Sequence, residues 1–129
     1  MTIFSKIVAG DIPAYKVAES NDFLAFLDIS PLTEGHLLVI PKKEVDYLFD
    51  LDDETYTGLQ LFAKIVATGL KKAISCERIG VVVMGLEVPH AHIHLIPMNE
   101  ANDINFSNPK LKFTAEQLEA TAKKIKTAL

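Results

Sequence analysis

The sequence has little cysteine, no long apolar run and no excess of basic residues. Cys76 is the single cysteine among 129 residues, so neither an intrachain disulfide nor a cysteine-based zinc site can form. No apolar run approaches the roughly 20 residues of a membrane span, and the first residues lack the pattern of a signal peptide. Basic residues number 13 against 17 acidic ones, for a net charge of −4, which argues against general nucleic-acid binding. We therefore expect a soluble, cytoplasmic protein with no membrane or nucleic-acid partner.

The composition predicts a packed domain. Hydrophobic residues make up 49% of the chain and charged residues 23%, which favours a real core over disorder. The length corresponds to one domain. We expect residues 1–129 to form that single domain, with a core over 3–98 and a C-terminal loop and helix over 99–129.

Breaker residues and apolar periodicity predict three helices and five strands. A short helix is expected at 4–9, and a long central helix with an apolar stripe begins at the aspartates 52 and 53 and ends near Ala73. Thr114 and Gln117 have the spacing of a capping box, so they predict a last helix. The predicted strands are 15–18, 23–27, 36–40, 79–84 and 91–96, and 99–109 is expected to be a loop. The fourth strand is almost continuously apolar, which predicts burial on both faces. The fold class is α+β with a mostly antiparallel sheet.

Three of the four histidines lie within five residues, at His90, His92 and His94. Because side chains alternate along a strand, these three imidazoles are predicted to share one face, while Ala91 and Ile93 pack on the other. A solvated sheet face tolerates one histidine easily. Three at strict alternation in an otherwise apolar strand indicate a functional site.

Two chemistries fit this row of histidines. A metal bound by a His-x-His pair together with His36 is one, since the outer two histidines are about 13 Å apart along a strand and do not reach the same ion without a bend. The other is nucleophilic catalysis at phosphorus, in which one neutral imidazole attacks and its neighbours donate hydrogen bonds to phosphoryl oxygens. His92 has a partner on each side and is the best nucleophile candidate.

The segment 88–96, Val-Pro-His-Ala-His-Ile-His-Leu-Ile, resembles the signature of the histidine triad family of nucleotide hydrolases and transferases. Three further blocks look like segments of that family in the same order, namely 3–13, 26–31 and 35–42. The resemblance covers most of residues 3–98. It implies the family's fold and a homodimer that pairs sheets edge to edge and packs the central helices together.

The resemblance also implies a role for each matching residue. His92 matches the histidine that forms a covalent nucleotidyl intermediate, His94 the one that contacts the phosphate, and His90 the one that orients the centre through its backbone carbonyl. His36 matches a supporting histidine, and Asp28 the carboxylate that holds the ribose hydroxyls. The matches for the walls of the base pocket are Phe4, Ile7, Ile29 and Leu38. Without the family, Asp28 is interpreted as a turn cap and the four apolar residues as core.

One departure from the family concerns a metal. Many relatives bind a structural zinc through two N-terminal cysteines, a later histidine and the first triad histidine. Thr2, Ser5 and Glu44 stand at the first three of these positions, so we predict no metal site.

A second departure concerns the loop before the triad. The loop is short, and Met84 and Leu86 stand where the family usually has polar residues. Two side-chain donors to the phosphate are therefore expected to be missing, and backbone N–H groups near Glu87 and Val88 are expected to face the phosphate instead. Loss of one such donor costs roughly 3 kcal/mol of transition-state stabilisation, which predicts slow turnover.

The prediction is a nucleotide hydrolase without a cofactor, acting at the α-phosphorus of a purine nucleoside phosphoramidate or a related nucleotide conjugate. The alternative is a nucleotide-binding regulatory module with vestigial catalysis, which the missing donors favour. A His-x-His metalloprotein is a third, weaker hypothesis.

Overall fold

The computed structural model describes residues 1–129 as a five-stranded antiparallel sheet with three α-helices. The strands are β1 (Lys16–Glu19), β2 (Phe23–Leu27), β3 (Leu37–Pro41), β4 (Arg78–Val82) and β5 (Ile93–Met98). The helices are α1 (Ile3–Ala9), α2 (Asp53–Ala73) and α3 (Ala115–Ala128), with short 3-10 helices at Leu48–Asp50 and Ala101–Ile104. The predicted α+β class is confirmed. None of the helices combines the length and the apolar content that a membrane crossing requires.

The spatial order of the strands is β1-β2-β3-β5-β4, and every neighbouring pair is antiparallel. Strand β5 therefore lies inside the sheet, between β3 and β4, although β4 precedes it in the chain. Leu38 on β3 and Val82 on β4 both pair with His94 on β5. The sheet thus brings the histidine row next to the segment that follows His36.

The central helix α2 is set by its caps and its apolar stripe. The Asp52 side chain accepts a hydrogen bond from the Thr55 N–H at 2.8 Å, as an N-cap does. Lysines in the last turn complement the helix dipole. The buried residues recur at three-to-four spacing and face the sheet: Leu59, Ala63, Val66 and Leu70. The predicted central helix is confirmed.

Helix α3 begins with the predicted capping box. Thr114 Oγ1 accepts from the Gln117 N–H, and Gln117 Oε1 accepts from the Thr114 N–H. Its buried residues Leu118, Ala122 and Ile125 join those of α2 and the sheet in one cluster of 18 buried residues. The main core therefore lies between one face of the sheet and the two long helices.

The opposite face carries a second, smaller cluster. Six buried residues form it: Phe4, Ile7, Leu24, Phe26, Leu38 and Ile40. Helix α1 covers these strands, capped by Thr2 at its start and by Gly10, with φ of +85°, at its end. Because Leu38 pairs directly with His94, this is also the face on which the histidine row lies.

Three sequence-based expectations are wrong in detail. Strand β4 is an edge strand, and Val81 is 62% exposed, because β4 has one neighbour and Val81, although on the same face as Leu95, lies beyond the edge of the main core. Strand β5 begins at Ile93, so His90 and His92 precede it. The expected loop 99–109 contains the 3-10 helix Ala101–Ile104, which has its own capping box between Glu100 and Asp103.

Candidate active site

All four histidines lie in one buried group. His90 is 0% exposed and His36 1%, while His92 and His94 are each 7% exposed. The ring centroids of His92 and His94 are 5.0 Å apart, and those of His36 and His94 are 5.2 Å apart. His90 and His92 also both contact the Phe4 ring, with centroid separations of 5.8 and 5.0 Å. The structure therefore brings the sequence-distant His36 to the row.

A bend at Gly35 places His36 beside His94. Gly35 has a φ of +90°, and a Cβ there would lie 2.9 Å from Cγ1 of Ile74. Both the left-handed backbone and the close approach favour glycine. The chain then enters β3, which pairs with β5.

Hydrogen bonds assign the tautomers of His36 and His94. The backbone N–H of Leu32 donates to Nδ1 of His36 at 3.0 Å, so the proton of neutral His36 is on Nε2. That Nε2 lies 2.9 Å from Nδ1 of His94 and donates to it. His94 therefore holds its own proton on Nε2. A backbone amide thus determines, through two rings, that His94 offers an N–H donor.

Burial keeps both rings neutral. Burial, followed by the neighbouring His94 and Lys110, lowers the pKa of His36 to about 3. Burial, followed by the neighbouring His92, lowers the pKa of His94 to about 4. Both values lie far below neutral pH, so the hydrogen-bonded chain of two neutral imidazoles is the state at pH 7.

His92 presents a nitrogen without a proton. Its Nδ1 lies 2.7 Å from the backbone carbonyl oxygen of His90, which only accepts hydrogen bonds, so Nδ1 carries the proton and Nε2 has a lone pair. Burial lowers the pKa of His92, while the hydrogen bond to the His90 carbonyl opposes that effect. The ring is therefore a neutral imidazole with a nucleophilic Nε2.

His90 is held at both ring nitrogens. Its Nε2 donates to the carbonyl oxygen of Pro41 at 2.8 Å, and its Nδ1 lies 2.9 Å from Oγ1 of Thr2. Ser5 and Glu44 complete the cluster, because Ser5 Oγ donates to Oε1 of Glu44 at 2.6 Å. The residues at the family's zinc positions thus meet in space as a hydrogen-bonded set. Two hydroxyls and an imidazole nitrogen already engaged by one of them do not match the thiolate and imidazole ligands of a structural zinc.

Asp28 lies at the edge of the group. Its Oδ1 accepts from the Ser30 N–H at 2.8 Å, and its Oδ2 is 3.7 Å from Nε2 of His36. Burial raises the pKa of Asp28, partly offset by the Ser30 N–H and by Lys110. Because His36 is neutral, this contact is not an ion pair.

Asp28, His36 and His94 offer three ligand atoms within 4.8 Å of one another. Both nitrogens of His36 are, however, engaged in hydrogen bonds, and its Nε2 carries a proton. A cation would have to displace that proton and break the chain to His94. The geometry therefore favours hydrogen bonding over metal binding here.

The apolar residues expected in the base pocket divide into two groups. Phe4, Ile7 and Leu38 are buried together, and Val88 packs against their cluster. Ile29, by contrast, is 67% exposed. Glu87 is exposed. The structure therefore provides one apolar wall beside His92 and leaves Ile29 and Glu87 at the surface.

Sequence reasoning missed Phe106 and Lys110. The Phe106 ring centroid lies 4.9 Å from that of His94 and 6.1 Å from that of His36, and Lys110 Nζ is 5.7 Å from the Phe106 ring. The Leu111 N–H donates to the Pro31 carbonyl at 2.9 Å, which ties this segment to the turn after Asp28. The sequence offered one signal for this contact, the aromatic Phe106 in a segment without periodicity.

The arrangement combines a bare nucleophilic nitrogen, an adjacent imidazole N–H donor, a carboxylate and an apolar wall. Such a set can attack an electrophilic phosphorus and stabilise negative charge on its oxygens. The family model of the HIT domain, named for the histidine triad, matches residues 9–101. The chain belongs to the histidine triad family.

Individual relatives resemble this histidine triad protein over three quarters of its length or more. "Adenosine 5'-monophosphoramidase hnt1" of Schizosaccharomyces pombe is 36% identical over 133 aligned positions, which cover 98% of this chain and 97% of the relative. "Adenosine 5'-monophosphoramidase HNT1" of Saccharomyces cerevisiae is 39% identical over 103 positions, covering 76% and 63%. The crystal structure of a Hit-like protein from Bartonella henselae, described as involved in cell-cycle regulation, superposes with a TM-score of 0.88 at 36% identity, covering 99% and 96%.

Proposed function

We propose that this histidine triad protein is a nucleotide hydrolase that cleaves purine nucleoside phosphoramidates, or related nucleotide conjugates, at the α-phosphorus. The observation that carries the proposal is the lone pair on Nε2 of His92, assigned by the hydrogen bond from its Nδ1 to the His90 carbonyl. Two relatives named adenosine 5'-monophosphoramidase support the choice of substrate class. No cofactor takes part in the proposed reaction.

The reaction takes place in two steps. Nε2 of His92 attacks the α-phosphorus, the bond from phosphorus to the leaving nitrogen breaks, and the amine leaves with that electron pair and takes up a proton from solvent. Water then attacks the same phosphorus and gives one proton back to solvent, the bond to His92 breaks, and a nucleoside monophosphate leaves. His92 is thereby restored as a neutral imidazole.

His94 is the proposed donor to the phosphate. The chain from the Leu32 N–H through His36 leaves a proton on Nε2 of His94, next to the nucleophile. A hydrogen bond from this atom to a non-bridging oxygen grows stronger as charge develops there, and one such donor contributes about 10²–10³ in rate. Backbone N–H groups near Glu87 and Val88 are proposed to add further donors.

The nucleoside is proposed to lie along the apolar wall. Asp28 accepts hydrogen bonds from the ribose hydroxyls, and Phe4, Ile7, Ile29 and Leu38 contact the base. The contact of the Phe4 ring with His92, at 5.0 Å between centroids, supports a base pocket that adjoins the nucleophile. Asp28→Asn is expected to raise KM more than it lowers kcat, because the carboxylate does not touch the reacting atoms.

The proposal is tested with His92→Asn and adenosine 5'-monophosphoramidate. The wild type is expected to release AMP, and the variant to lose about 10⁴-fold or more in kcat while still binding AMP. Mass spectrometry of the quenched wild type is expected to show an adenylylated His92 when hydrolysis is the slow step. Thermal unfolding confirms that the variant is folded. Equal turnover in both proteins would exclude His92 as the nucleophile.

A regulatory nucleotide-binding module is the second candidate. The absence of polar side chains at Met84 and Leu86 favours it, because Leu86 is 89% exposed and supplies no donor. Tight AMP binding with the same negligible turnover in the wild type and in His92→Asn would decide for this module.

We also propose that the protein forms a homodimer through β4 and the outer face of α2. Apolar side chains are exposed on both elements: Leu61 is 58%, Ile65 64% and Val81 62% exposed. An apolar edge strand of this kind invites pairing with a second chain. The wild type is expected to sediment as a dimer and Val81→Lys as a monomer. A wild type that already sediments as a monomer would contradict the assembly.

Residues 1–129 are proposed to act as one domain, because Ile125 of α3 belongs to the same buried cluster as the strands. A cytoplasmic location remains a prediction from the sequence.

A further inference from the structure

A cluster of polar side chains lies behind the nucleophile, on the side of His90 away from His92. Thr2 and Ser5 come from the start of α1, and Glu44 comes from the segment after β3. Their contacts converge on Nδ1 of His90, which is 2.9 Å from Oγ1 of Thr2 and 3.4 Å from Oγ of Ser5. The resemblance places these residues at the zinc positions of many relatives, but Thr2 and Ser5 offer hydroxyls in place of the thiolates of such a site.

The protons of the cluster can be assigned one by one. The carboxylate of Glu44 only accepts, and its Oε1 receives the Thr2 N–H at 2.7 Å and the Ser5 hydroxyl at 2.6 Å. The Ser5 hydroxyl proton is therefore engaged with Glu44. The Ser5 hydrogen bond also lowers the pKa of Glu44, which keeps it an acceptor.

The hydroxyl proton of Thr2 remains for His90. Oγ1 of Thr2 already accepts the Ser5 N–H at 3.0 Å, so its proton points to one of the nearby acceptors. Nδ1 of His90 at 2.9 Å is nearer than Oγ of Ser5 at 3.3 Å. Thr2 thus donates to Nδ1, which requires the ring proton of His90 to be on Nε2, where it binds the Pro41 carbonyl at 2.8 Å.

The consequence reaches the nucleophile through the backbone. The His90 ring is fully buried and held at both nitrogens, so its main chain has little freedom to shift. The carbonyl of His90 is the group that accepts Nδ1–H of His92 at 2.7 Å. Loss of the Thr2 hydroxyl would release the Nδ1 side of His90 and leave the Pro41 carbonyl as the one hydrogen-bond partner of the ring.

We infer that Thr2 is a positioning residue of the reaction: its hydroxyl holds Nδ1 of His90 while the Pro41 carbonyl holds Nε2–H, and the His90 carbonyl then holds His92 with Nε2 facing the phosphorus. Glu44 supports Thr2 by engaging the competing Ser5 proton. A hydrogen-bonded cluster thereby performs the anchoring that zinc performs in relatives with cysteine ligands. This inference rests on the proposed function.

The test compares four variants. Thr2→Val removes the hydroxyl, Thr2→Ser keeps it, and Thr2→Asp keeps a helix N-cap but places an acceptor opposite Nδ1. Thr114→Val is the matched control, because Thr114 is likewise a threonine N-cap whose side chain accepts from the third helical N–H, and the hydrogen bonds of its side chain and its N–H go to Gln117 and to no histidine. The readouts are the ring ¹⁵N shifts of the histidines, which report which nitrogen carries a proton, and the kinetics with adenosine 5'-monophosphoramidate.

The wild type is expected to show His90 protonated on Nε2 and bare on Nδ1. Thr2→Val is expected to keep the Nε2 proton of His90, to change the ¹⁵N shift of Nδ1 because its hydrogen bond is lost, and to lower kcat about tenfold with KM within twofold. Thr2→Ser is expected to match the wild type in the Nδ1 shift and in kcat. Thr2→Asp is expected to add a second ring proton, on Nδ1, while Nε2 keeps its own. Thr114→Val is expected to leave the shifts and kcat unchanged.

Two results would overturn the inference. One is a wild-type His90 that carries its proton on Nδ1, and the other is a Thr2→Val protein whose Nδ1 shift and kcat match those of Thr114→Val. The NMR measurement needs no turnover, so it tests the Thr2 contact even where the enzyme assay of the proposed function fails. A wild-type His90 protonated on Nδ1 excludes the Thr2 contact even where Thr2→Val does not fold.

Discussion

The two faces of the sheet are formed by the same strands but carry different kinds of residue. The face under α2 and α3 packs 18 buried apolar residues and no histidine, whereas the other face has a cluster of six and the four buried imidazoles. The alternation is visible within one strand: Ile93 and Leu95 point to the large core, and His94 between them to the site. We conclude that the stability of the fold resides mainly on one face, which allows the other to hold costly buried polar groups.

The strongest test of this division compares a core residue, Ile125, with the proposed nucleophile, His92. Ile125→Ala, on the helix-covered face, is expected to lower the free energy of unfolding by about 2–5 kcal/mol, because it leaves a cavity beside a residue that is 0% exposed. The turnover of the folded protein is expected to stay unchanged. Urea unfolding and the phosphoramidase assay measure the two effects.

His92→Asn provides the reverse case. Its unfolding free energy is expected to stay within about 1 kcal/mol of the wild type, although turnover is lost. A large loss of stability in this variant, together with an inactive Ile125→Ala protein, would show that the two faces are not separate in function.

The second prediction concerns pH and the site face. The pKa values of His36 and His94 are lowered to about 3 and about 4 from 6.5, so the unfolded chain binds protons below pH 6.5 that the folded protein does not. The free energy of unfolding is therefore expected to fall as the pH falls from 6.5 to 5, by about 1.4 kcal/mol per pH unit for each histidine. Asp28, whose pKa is raised, has the opposite sign and acts nearer its ordinary value of 3.8.

Urea unfolding at pH 7, 6 and 5 measures this slope. His36→Asn is the matched variant: it is expected to be less stable at every pH but to lose about 1.4 kcal/mol per unit from the slope. A wild-type stability that is flat between pH 7 and 5 would contradict the neutral, buried histidine pair.

The smallest expected effect concerns Phe106, whose ring packs against His94 on the histidine side of the sheet. Phe106→Ala is expected to raise the pKa of His94 from about 4 by about one unit, because the ring that buries it is removed. Phe113→Ala is the control, since Phe113 lies in the same C-terminal region but packs against the helix-covered core. NMR titration of His94 checks both, and an equal shift in the two variants would show that Phe106 does not shield His94.

Helices and strands were predictable where the pattern is local. The stripe of α2 and the polar turn before β2 identify both elements without knowledge of their neighbours, and the observed bounds Asp53–Ala73 and Phe23–Leu27 agree with the predicted ones. The burial predicted for β4 is wrong because apolar content does not show how many strands lie beside a strand. That number depends on β5 being inserted next to β3.

The site was predictable to the same extent. His90, His92 and His94 stand out because their spacing is local. His36 was first considered as a metal partner of that row, and its supporting role and the role of Asp28 came from the family resemblance. Phe106 and Lys110 were missed, since only the pairing of their segment with the turn at Pro31 brings them to the histidines. Which ring nitrogen of each histidine carries the proton could not be predicted from the spacing of residues either.

The order of residues along the chain was thus sufficient to establish the α+β class, the main helices and the row of imidazoles, because periodicity and capping act over a few residues. Folding in three dimensions was needed to assign a proton to each imidazole. Those assignments come from backbone atoms of Leu32, Pro41 and His90 and from the hydroxyl of Thr2, groups that meet only when distant segments pack together.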